Sequence, residues 1–349
     1  MRPVTAQSNT GWDVFPHRIL SHYREAQAIA RGALPPPRMV IWHLNYLCNH
    51  HCVGCDFRAE NAALHYNPPA RDLTRIAAAI IASGAEAVEL SGGGEPLLAP
   101  GVDRLIRTFR RAGLQVGLLT NGSLLTGRVL TTVVRHCRYV RISMEAGSPA
   151  VFRRVKQVDD PREFARIVAN LRAAVALKRK LRAPININLK YTVGTLNRHD
   201  LANAALLAAR LGVDSLQFRP YENCAITPRD TRAIQRDVTA LRQRYAGKLE
   251  IVGNLAFARP QTRCRFNALF ATVDGMGDVF LCPYYRHRRA RHRIGNLLRD
   301  DWTAVWGGKR HRAARAAVRP AECAVYACRF HRYNALLTAL LSSGDLSFI

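Results

Sequence analysis

Three closely spaced cysteines constrain this chain more than any other feature of its sequence. Cys48, Cys52 and Cys55 occur in the run CNHHCVGCDF, directly after a strand-like segment at residues 39–47. The C-x3-C-x2-C spacing places three thiolates on one short loop, where they can hold three corners of a [4Fe–4S] cluster and leave the fourth iron open. Because an open iron can bind a substrate or cofactor, the spacing predicts chemistry at the cluster.

The composition indicates a globular protein. The chain has 349 residues, of which 48% are hydrophobic, enough for one large α/β domain and a smaller one. No apolar run reaches the roughly 18 residues of a membrane span, and the N-terminus lacks the apolar core of a signal peptide. Nine cysteines at uneven spacings suit metal ligation in a reducing compartment better than a disulfide framework. We therefore expect a cytoplasmic, metal-binding protein with no membrane partner.

The net charge of +27 raises the question of a polyanionic partner. Clustered cations gain affinity for nucleic acids by releasing counterions from phosphates. Here the cations are spread along the whole chain, and the densest run is RHRRARHR at residues 286–293. This distribution favours a solvated surface and makes nucleic acid an unlikely partner, with an acidic substrate or partner as the alternative.

Apolar segments of strand type alternate with segments of helical periodicity. The predicted strands cover residues 39–47, 87–90, 115–119, 139–144, 185–193 and 215–218. The predicted helices cover residues 72–83, 102–112, a segment near Leu130, 162–180 and 200–211. This alternation predicts stacked βα units with a parallel sheet. Six strands, each followed by a loop of unusual content, fit a partial (β/α)6 barrel whose functional groups gather at the strand C-termini.

The loops after the later strands carry further motifs. The second strand leads into Gly92, Gly93, Gly94, Glu95 and Pro96, the third into Asn121, and the fourth into Ser143 and Glu145. With the cysteine loop, these motifs give the chain a resemblance to the radical S-adenosylmethionine (radical SAM) superfamily over residues 39–330. The resemblance implies that the three cysteines hold a [4Fe–4S] cluster whose open iron chelates S-adenosylmethionine. It also implies that the glycine, asparagine, serine and glutamate motifs contact this cofactor.

One position departs from the superfamily pattern. The residue before the third motif cysteine is usually aromatic and stacks near the adenine, but here it is Gly54. Phe57, two residues after Cys55, is the sequence's candidate to cover the adenine instead.

A second cysteine set lies near the C-terminus. Cys264 is followed by Gly277 and then Cys282, with a predicted β-hairpin turning at Asp274-Gly275, and a predicted helix at residues 301–318 leads to Cys323 and Cys328. This arrangement resembles the auxiliary iron–sulfur domains called SPASM and twitch. Because a full SPASM set needs around seven cysteines, the resemblance implies a twitch form in which these four hold a single cluster.

Structural zinc is the alternative for both cysteine sets, since four thiolates, or three with His50 or His51, can close on one zinc ion. Among the remaining cysteines, Cys137 reads as ordinary packing. Cys224 follows the sixth strand and is a candidate hydrogen donor to a substrate radical, with Arg219, Tyr221 and Glu222 as candidate substrate contacts.

The pattern predicts five regions along the chain. They are an N-terminal extension (1–37), the partial barrel (38–225), a linker or helical segment (226–260), a small α+β twitch-like domain (261–331) and a C-terminal helix or tail (332–349).

The resemblance implies an oxidoreductase or epimerase. An electron from a reducing partner such as flavodoxin or ferredoxin would cleave S-adenosylmethionine to a 5′-deoxyadenosyl radical, which abstracts hydrogen from the substrate. Because the residues before the first strand are too few for a leader-binding domain, we expect a small polar metabolite, such as a sugar, cyclitol or nucleotide-like molecule. One alternative is a maturase of a ribosomally synthesised peptide, since an acidic leader would suit the charge. Another is an iron–sulfur sensor or nucleic-acid-binding protein.

Overall fold

The computed structural model describes residues 21–221, 227–253, 262–285, 288–323, 328 and 330–342. These residues form two compact units. Unit A comprises residues 50–54 and the described part of 120–253, and unit B comprises residues 21–49, 55–119 and the described part of 262–342.

Strands and helices alternate along the described chain as the sequence predicts. The strands are β1 (Met39–His43), β2 (Ala87–Ser91), β3 (Gln115–Thr120), β4 (Tyr139–Ser143), β5 (Asn186–Val193), β6 (Ser215–Pro220), β7 (Glu250–Val252), β8 (Phe270–Val273), β9 (Asp278–Phe280) and β10 (Arg293–Asn296). The helices are α1 (Tyr23–Ala30), α2 (Arg58–Leu64), α3 (Ala70–Ala82), α4 (Val102–Arg111), α5 (Gly127–His136), α6 (Pro149–Lys156), α7 (Glu163–Leu181), α8 (Leu201–Leu211), α9 (Pro228–Arg244), α10 (Arg289–His292), α11 (Trp302–Val305), α12 (Lys309–Ala317) and α13 (His331–Ser342).

Unit B contains a sheet in the order β10-β9-β8-β1-β2-β3. Its strands β8, β1, β2 and β3 run parallel, and Met39 of β1 lies opposite Ala87 of β2 and Phe270 of β8. The predicted hairpin is present, because β8 and β9 pair antiparallel and Thr272 lies opposite Phe280. The pairing of β8 with β1 joins segments about 230 residues apart, which the sequence did not predict.

Unit A contains the parallel strands β4-β5-β6-β7. All six residues of β6 are buried, as in parallel sheets covered by helices on both faces. Within the segment expected to be a linker or helix, α9 begins where the Thr227 hydroxyl accepts the Asp230 N–H at 3.1 Å and Pro228 occupies the first turn. The same segment adds β7, whose residues Ile251 and Val252 are buried.

The predicted helix at residues 301–318 is wrong, because the structure breaks it into α11 and α12. Gly307 between them has φ +82°, a left-handed backbone that a continuous helix cannot accommodate. At Gly308, an added Cβ would lie 2.2 Å from the carbonyl oxygen of Ala304. No helix in the described part of the chain is long and apolar enough to cross a membrane.

Candidate functional site

The cysteine loop starts in unit B, where Cys48 follows β1, and residues 50–54 belong to unit A before Cys55 returns to unit B. In unit A, the His51 N–H donates to the Lys156 carbonyl at 3.1 Å and the Val53 N–H donates to the Val155 carbonyl at 2.9 Å. These two backbone hydrogen bonds flank Cys52 and hold it against the last turn of α6. Burial raises the pKa of the Cys52 thiol, whereas the nearby Lys156 ammonium lowers it.

The histidine between the first two cysteines is tied into unit A. His50 Nε2 lies 2.9 Å from Glu163 Oε1 and 3.0 Å from Ser123 Oγ, and the ring is buried. Burial lowers the pKa of His50, and Lys156 lowers it further, so the imidazole is neutral at physiological pH. Nε2 of His50 thus anchors the loop through Glu163 and Ser123.

The glycine motif lies against the backbone that leads to Cys48. In unit B, the Gly94 N–H donates to the Asn45 carbonyl at 2.9 Å, and the Glu95 N–H donates to the Leu47 carbonyl at 2.7 Å. A Cβ at Gly94 would lie 2.0 Å from the Leu47 oxygen, and one at Gly93 would lie 2.7 Å from the Tyr46 ring. The glycines therefore allow a close backbone approach that other residues would prevent.

Glu95 is buried, and its carboxylate has a local hydrogen-bond partner. Its Oε1 accepts the Leu97 N–H at 3.0 Å, which caps the 3-10 turn at Pro96–Leu98. The Asn45 side chain donates to the Glu95 carbonyl at 2.9 Å. The turn fixes the direction of the carboxylate, and its binding to a cofactor amine stays a prediction.

The end of β4 carries a buried ion pair in unit A. Lys156 donates to the carboxylate of Glu145 and to the carbonyl of Ser143, and the pair is almost fully buried. Thr192 Oγ1 donates to Glu145 Oε1 at 3.2 Å, and Asn197 Nδ2 donates to the Glu145 carbonyl at 2.9 Å. Glu145 itself lies just beyond the strand with φ +52°. Lys156 therefore contacts both residues that the sequence singled out, Ser143 through its carbonyl and Glu145 through its carboxylate.

The sequence analysis did not single out Lys156, which follows the buried Val155 at the end of α6. Burial alone would lower the pKa of its ammonium, but Cys52 and Glu145 raise the pKa overall. Burial likewise would raise the pKa of Glu145, yet Lys156 and Lys190 hold it below its ordinary value. Both groups are thus charged at neutral pH, and the lysine places a positive charge beside the thiol of Cys52.

Asn121 shapes a turn after β3. Its Oδ1 accepts the Ser123 N–H at 2.9 Å, and Thr120 Oγ1 accepts the Gly122 N–H at 3.1 Å. Asn170 of α7 donates to the carbonyls of Gly122 and Ser123 at 2.9 and 3.0 Å. These bonds explain the turn, and a cofactor contact by Asn121 stays a prediction.

The four C-terminal cysteines line one cavity in unit B. Cys264, Cys282, Cys323 and Cys328 share its wall with Phe270 and other apolar side chains. Burial, with a smaller effect of neighbouring cysteines, raises the pKa of Cys264 to about 11 and that of Cys282 well above its ordinary value. Four thiols in such a cavity become thiolates only when a cation compensates them, so the donor set fits an iron–sulfur cluster. Within the described residues, no three histidine, cysteine or carboxylate side chains are placed to hold a single metal ion.

A polar network that the sequence did not reveal links two segments of unit B. The hydroxyls of Tyr46 and Tyr285 lie 2.6 Å apart, and Tyr46 also donates to Asp274 Oδ2 at 3.1 Å. Arg289 donates to Asp274 at 2.9 Å and to Asp278 at 2.7 Å. Burial raises the pKa of Asp274 to about 6, while Arg289 opposes that increase. The network connects the residues just before Cys48 with those just after Cys282.

Phe57 packs against this network. Its ring centroid lies 5.0 Å from that of His43, 6.4 Å from that of Tyr46 and 6.2 Å from that of Tyr285. Phe57, the residue expected to cover the adenine, therefore packs against other aromatic rings within unit B.

Two predicted residues, Cys224 and Glu222, lie outside the described residues. Arg219 is buried in β6, and Tyr221 follows that strand. Cys137 is buried at the end of α5, in keeping with a packing role.

Comparison with protein families finds two domains in this chain. Residues 43–181 match the radical SAM superfamily, and residues 264–329 match the iron–sulfur cluster-binding domain called SPASM. The chain therefore carries a radical SAM domain. The radical SAM domain implies a [4Fe–4S] cluster and S-adenosylmethionine as cofactors, and the SPASM domain implies auxiliary iron–sulfur. The predicted family, fold class and cofactors are confirmed.

Individual relatives differ in how much of the chain they match. An AdoMet-dependent heme synthase of Methanosarcina barkeri is 29% identical over 50% of this chain and 48% of its own length. The chain thus spans about half of that relative. A PqqA peptide cyclase of Streptomyces rochei is 26% identical over 81% of this chain and 79% of its own length. Among solved structures, Streptococcus suis SuiB bound to precursor peptide SuiA is 15% identical with a TM-score of 0.65, covering 87% of this chain and 72% of SuiB. The structural likeness supports the α/β radical SAM fold.

Proposed function

We propose that this radical SAM enzyme abstracts hydrogen from a peptide substrate. The observation that carries the proposal is the match to the PqqA peptide cyclase, which covers 81% of this chain and is therefore long enough that it must overlap both the radical SAM and the SPASM regions. The matched part of the heme synthase is smaller, at half of this chain. The net charge of +27 favours an acidic peptide, because a uniformly basic surface attracts a chain of opposite charge.

When bound, the loop cluster and S-adenosylmethionine supply a carbon radical that removes hydrogen from an unactivated C–H bond. Cys48, Cys52 and Cys55 would ligate the loop cluster, and Cys264, Cys282, Cys323 and Cys328 would ligate a single auxiliary cluster. The protein's own part is to fix these groups and to exclude water.

We propose that several residues of the radical SAM region serve that part. The glycines at 92–94 let the backbone lie against the segment before Cys48, so the cofactor methionyl group can approach main-chain atoms. The fixed carboxylate of Glu95 is proposed to accept the methionyl ammonium. The Lys156 ammonium lies close enough to Cys52 to affect its pKa, and it would offset the negative charge of a cysteine-ligated cluster.

A small polar metabolite is the second candidate substrate, as expected from the sequence. The heme synthase supports it, because this relative matches half of the chain and bears the name of an enzyme of small-molecule synthesis. For such a substrate the outcome would be oxidation through the auxiliary cluster, or epimerisation with Cys224 as hydrogen donor. A flavodoxin or ferredoxin is the proposed source of the electron.

The test uses the full chain, reconstituted anaerobically with iron and sulfide and reduced with dithionite. The first assay measures 5′-deoxyadenosine, and its absence with clusters intact would overturn the enzyme assignment. The second assay adds uniformly deuterated acidic peptides, rich in aspartate and glutamate, and measures deuterium in the 5′-deoxyadenosine by mass spectrometry. Deuterium transfer from these peptides supports the proposal. Transfer from deuterated sugars or nucleotides, with none from peptides, would favour the small metabolite instead.

A further inference from the structure

The ring of Tyr221 fills the space beside Gly54 in unit A. A Cβ at Gly54 would lie 1.9 Å from Cε1 and 2.3 Å from Cδ1 of that ring. On the other side of the ring, a Cβ at Gly194 would lie 2.7 Å from Cδ2 and 2.8 Å from Cε2. The tyrosine ring is therefore held between two glycine backbones, one in the cysteine loop and one just after β5.

Both glycines leave room for the Tyr221 ring because they have no side chain. Neither Gly54 nor Gly194 has the positive φ that favours glycine for its backbone freedom. Any other residue at either position would overlap the ring of Tyr221. The two glycines thus form a slot for an aromatic side chain that comes from the end of β6.

The slot lies beside the cysteine loop in unit A. Gly54 directly precedes Cys55 and is two residues from Cys52. Tyr221 is also an electrostatic neighbour of Lys156 and of Tyr191, so it belongs with the buried groups around Glu145. Because Gly54 and Gly194 lie on opposite sides of the ring, a ligand meets Tyr221 through the part of the ring that they leave open or through the hydroxyl.

We propose that Tyr221 supplies the aromatic wall for the adenosine part of S-adenosylmethionine, in place of the aromatic side chain missing at position 54. A flat purine gains stacking energy from an aromatic face, and Phe57 already packs against His43 and Tyr285. The inference rests on the cofactor binding that the proposed function requires and is independent of the substrate.

The test moves the ring from one position to the other. The variants are Tyr221→Phe, Tyr221→Ala, Gly54→Tyr and the double variant Gly54→Tyr/Tyr221→Ala. The dissociation constant for S-adenosylmethionine is measured by equilibrium dialysis on anaerobically reconstituted full chain, with iron per chain measured in parallel.

Tyr221→Phe should bind as the parent chain does, because it keeps the ring. Tyr221→Ala should bind about tenfold more weakly, the loss of one stacking contact. Gly54→Tyr should also bind more weakly, because two rings cannot share the slot. The double variant should recover to within a few-fold of the parent chain.

Unchanged affinity in Tyr221→Ala with full iron content would overturn the proposal, and so would a double variant that binds no better than Tyr221→Ala. If Tyr221→Ala fails to retain iron, Tyr221→Leu replaces it, since leucine fills the slot without a flat face. Parent-like affinity in Tyr221→Leu would then overturn the proposal, and weakened affinity would support it. A parent chain that binds the cofactor but modifies no peptide would overturn only the proposed peptide substrate.

Discussion

Lys156 donates a hydrogen bond to the carboxylate of Glu145, and the two side chains are only 2% and 8% exposed. Removing one partner of a buried pair leaves the other charge uncompensated, which typically costs about 3–5 kcal/mol. Lys156→Met should therefore lower the free energy of unfolding by about that amount, measured by anaerobic denaturant titration. Adding Glu145→Gln should recover much of the loss.

The matched control for that variant is Lys178→Met. Lys178 pairs with Asp214, but their side chains are 23% and 26% exposed, so the loss should be about 1 kcal/mol or less. Equal losses in Lys156→Met and Lys178→Met would contradict the view that burial makes the Glu145 pair important.

Gly94→Ala tests the close approach of the glycine motif to the cysteine loop. Its Cβ would lie 2.0 Å from the Leu47 carbonyl oxygen, so the backbone just before Cys48 must move. We expect less iron bound at the loop cluster and weaker binding of S-adenosylmethionine, measured by iron analysis and equilibrium dialysis.

Gly247→Ala serves as its control, because no atom lies within 4 Å of the added Cβ and only the φ of +75° is unfavourable. That change should cost about 1–2 kcal/mol of stability and leave the iron content unchanged. Normal cofactor affinity in Gly94→Ala would show that the motif tolerates a side chain and would contradict the close-approach argument.

The double variant Cys264→Ala/Cys282→Ala should remove the auxiliary cluster, because it leaves only two of the four thiolates. With two [4Fe–4S] clusters the reconstituted chain would hold about eight irons, and this variant should hold about four. Cys137→Ala is the control, since Cys137 is buried at the end of α5 and should keep the full iron content. About four irons together with zinc in the parent chain would instead support the zinc alternative.

We expect the protein to lose stability in acid because of the buried His311. Burial, with Arg315 and Arg312 nearby, lowers the pKa of His311 to about 3, and its Nδ1 accepts the Gly307 N–H at 2.9 Å. Because the unfolded chain takes up a proton near pH 6.5 and the folded chain does not, stability falls as the pH drops below that value. Between pH 6.5 and about pH 4 this residue should cost on the order of 3 kcal/mol.

The measurement is the free energy of unfolding as a function of pH for the parent chain and for His311→Asn. Asparagine keeps an acceptor for the Gly307 N–H but does not titrate, so the variant should show a shallower acid dependence. Parallel pH profiles for the two proteins would refute the assignment.

Local features of the chain could be predicted from sequence because their signals lie within a few residues. The cysteine spacing, the glycine motif and the hairpin at Asp274-Gly275 each depend on short-range geometry and turn chemistry. The break between α11 and α12 was also local, since Gly307-Gly308 interrupts the predicted helix. A glycine pair of this kind is a local signal for the end of a helix.

The sequence by itself determined the cofactor chemistry, through three cysteines whose spacing leaves one iron open. Tertiary structure alone decided which side chains surround those cysteines. Lys156 lies beside Cys52, His50 reaches Glu163, and the ring of Tyr221 occupies the space at Gly54. These contacts join residues about 100 to 170 positions apart, and they form only when strands and helices pack, so no local pattern encodes them.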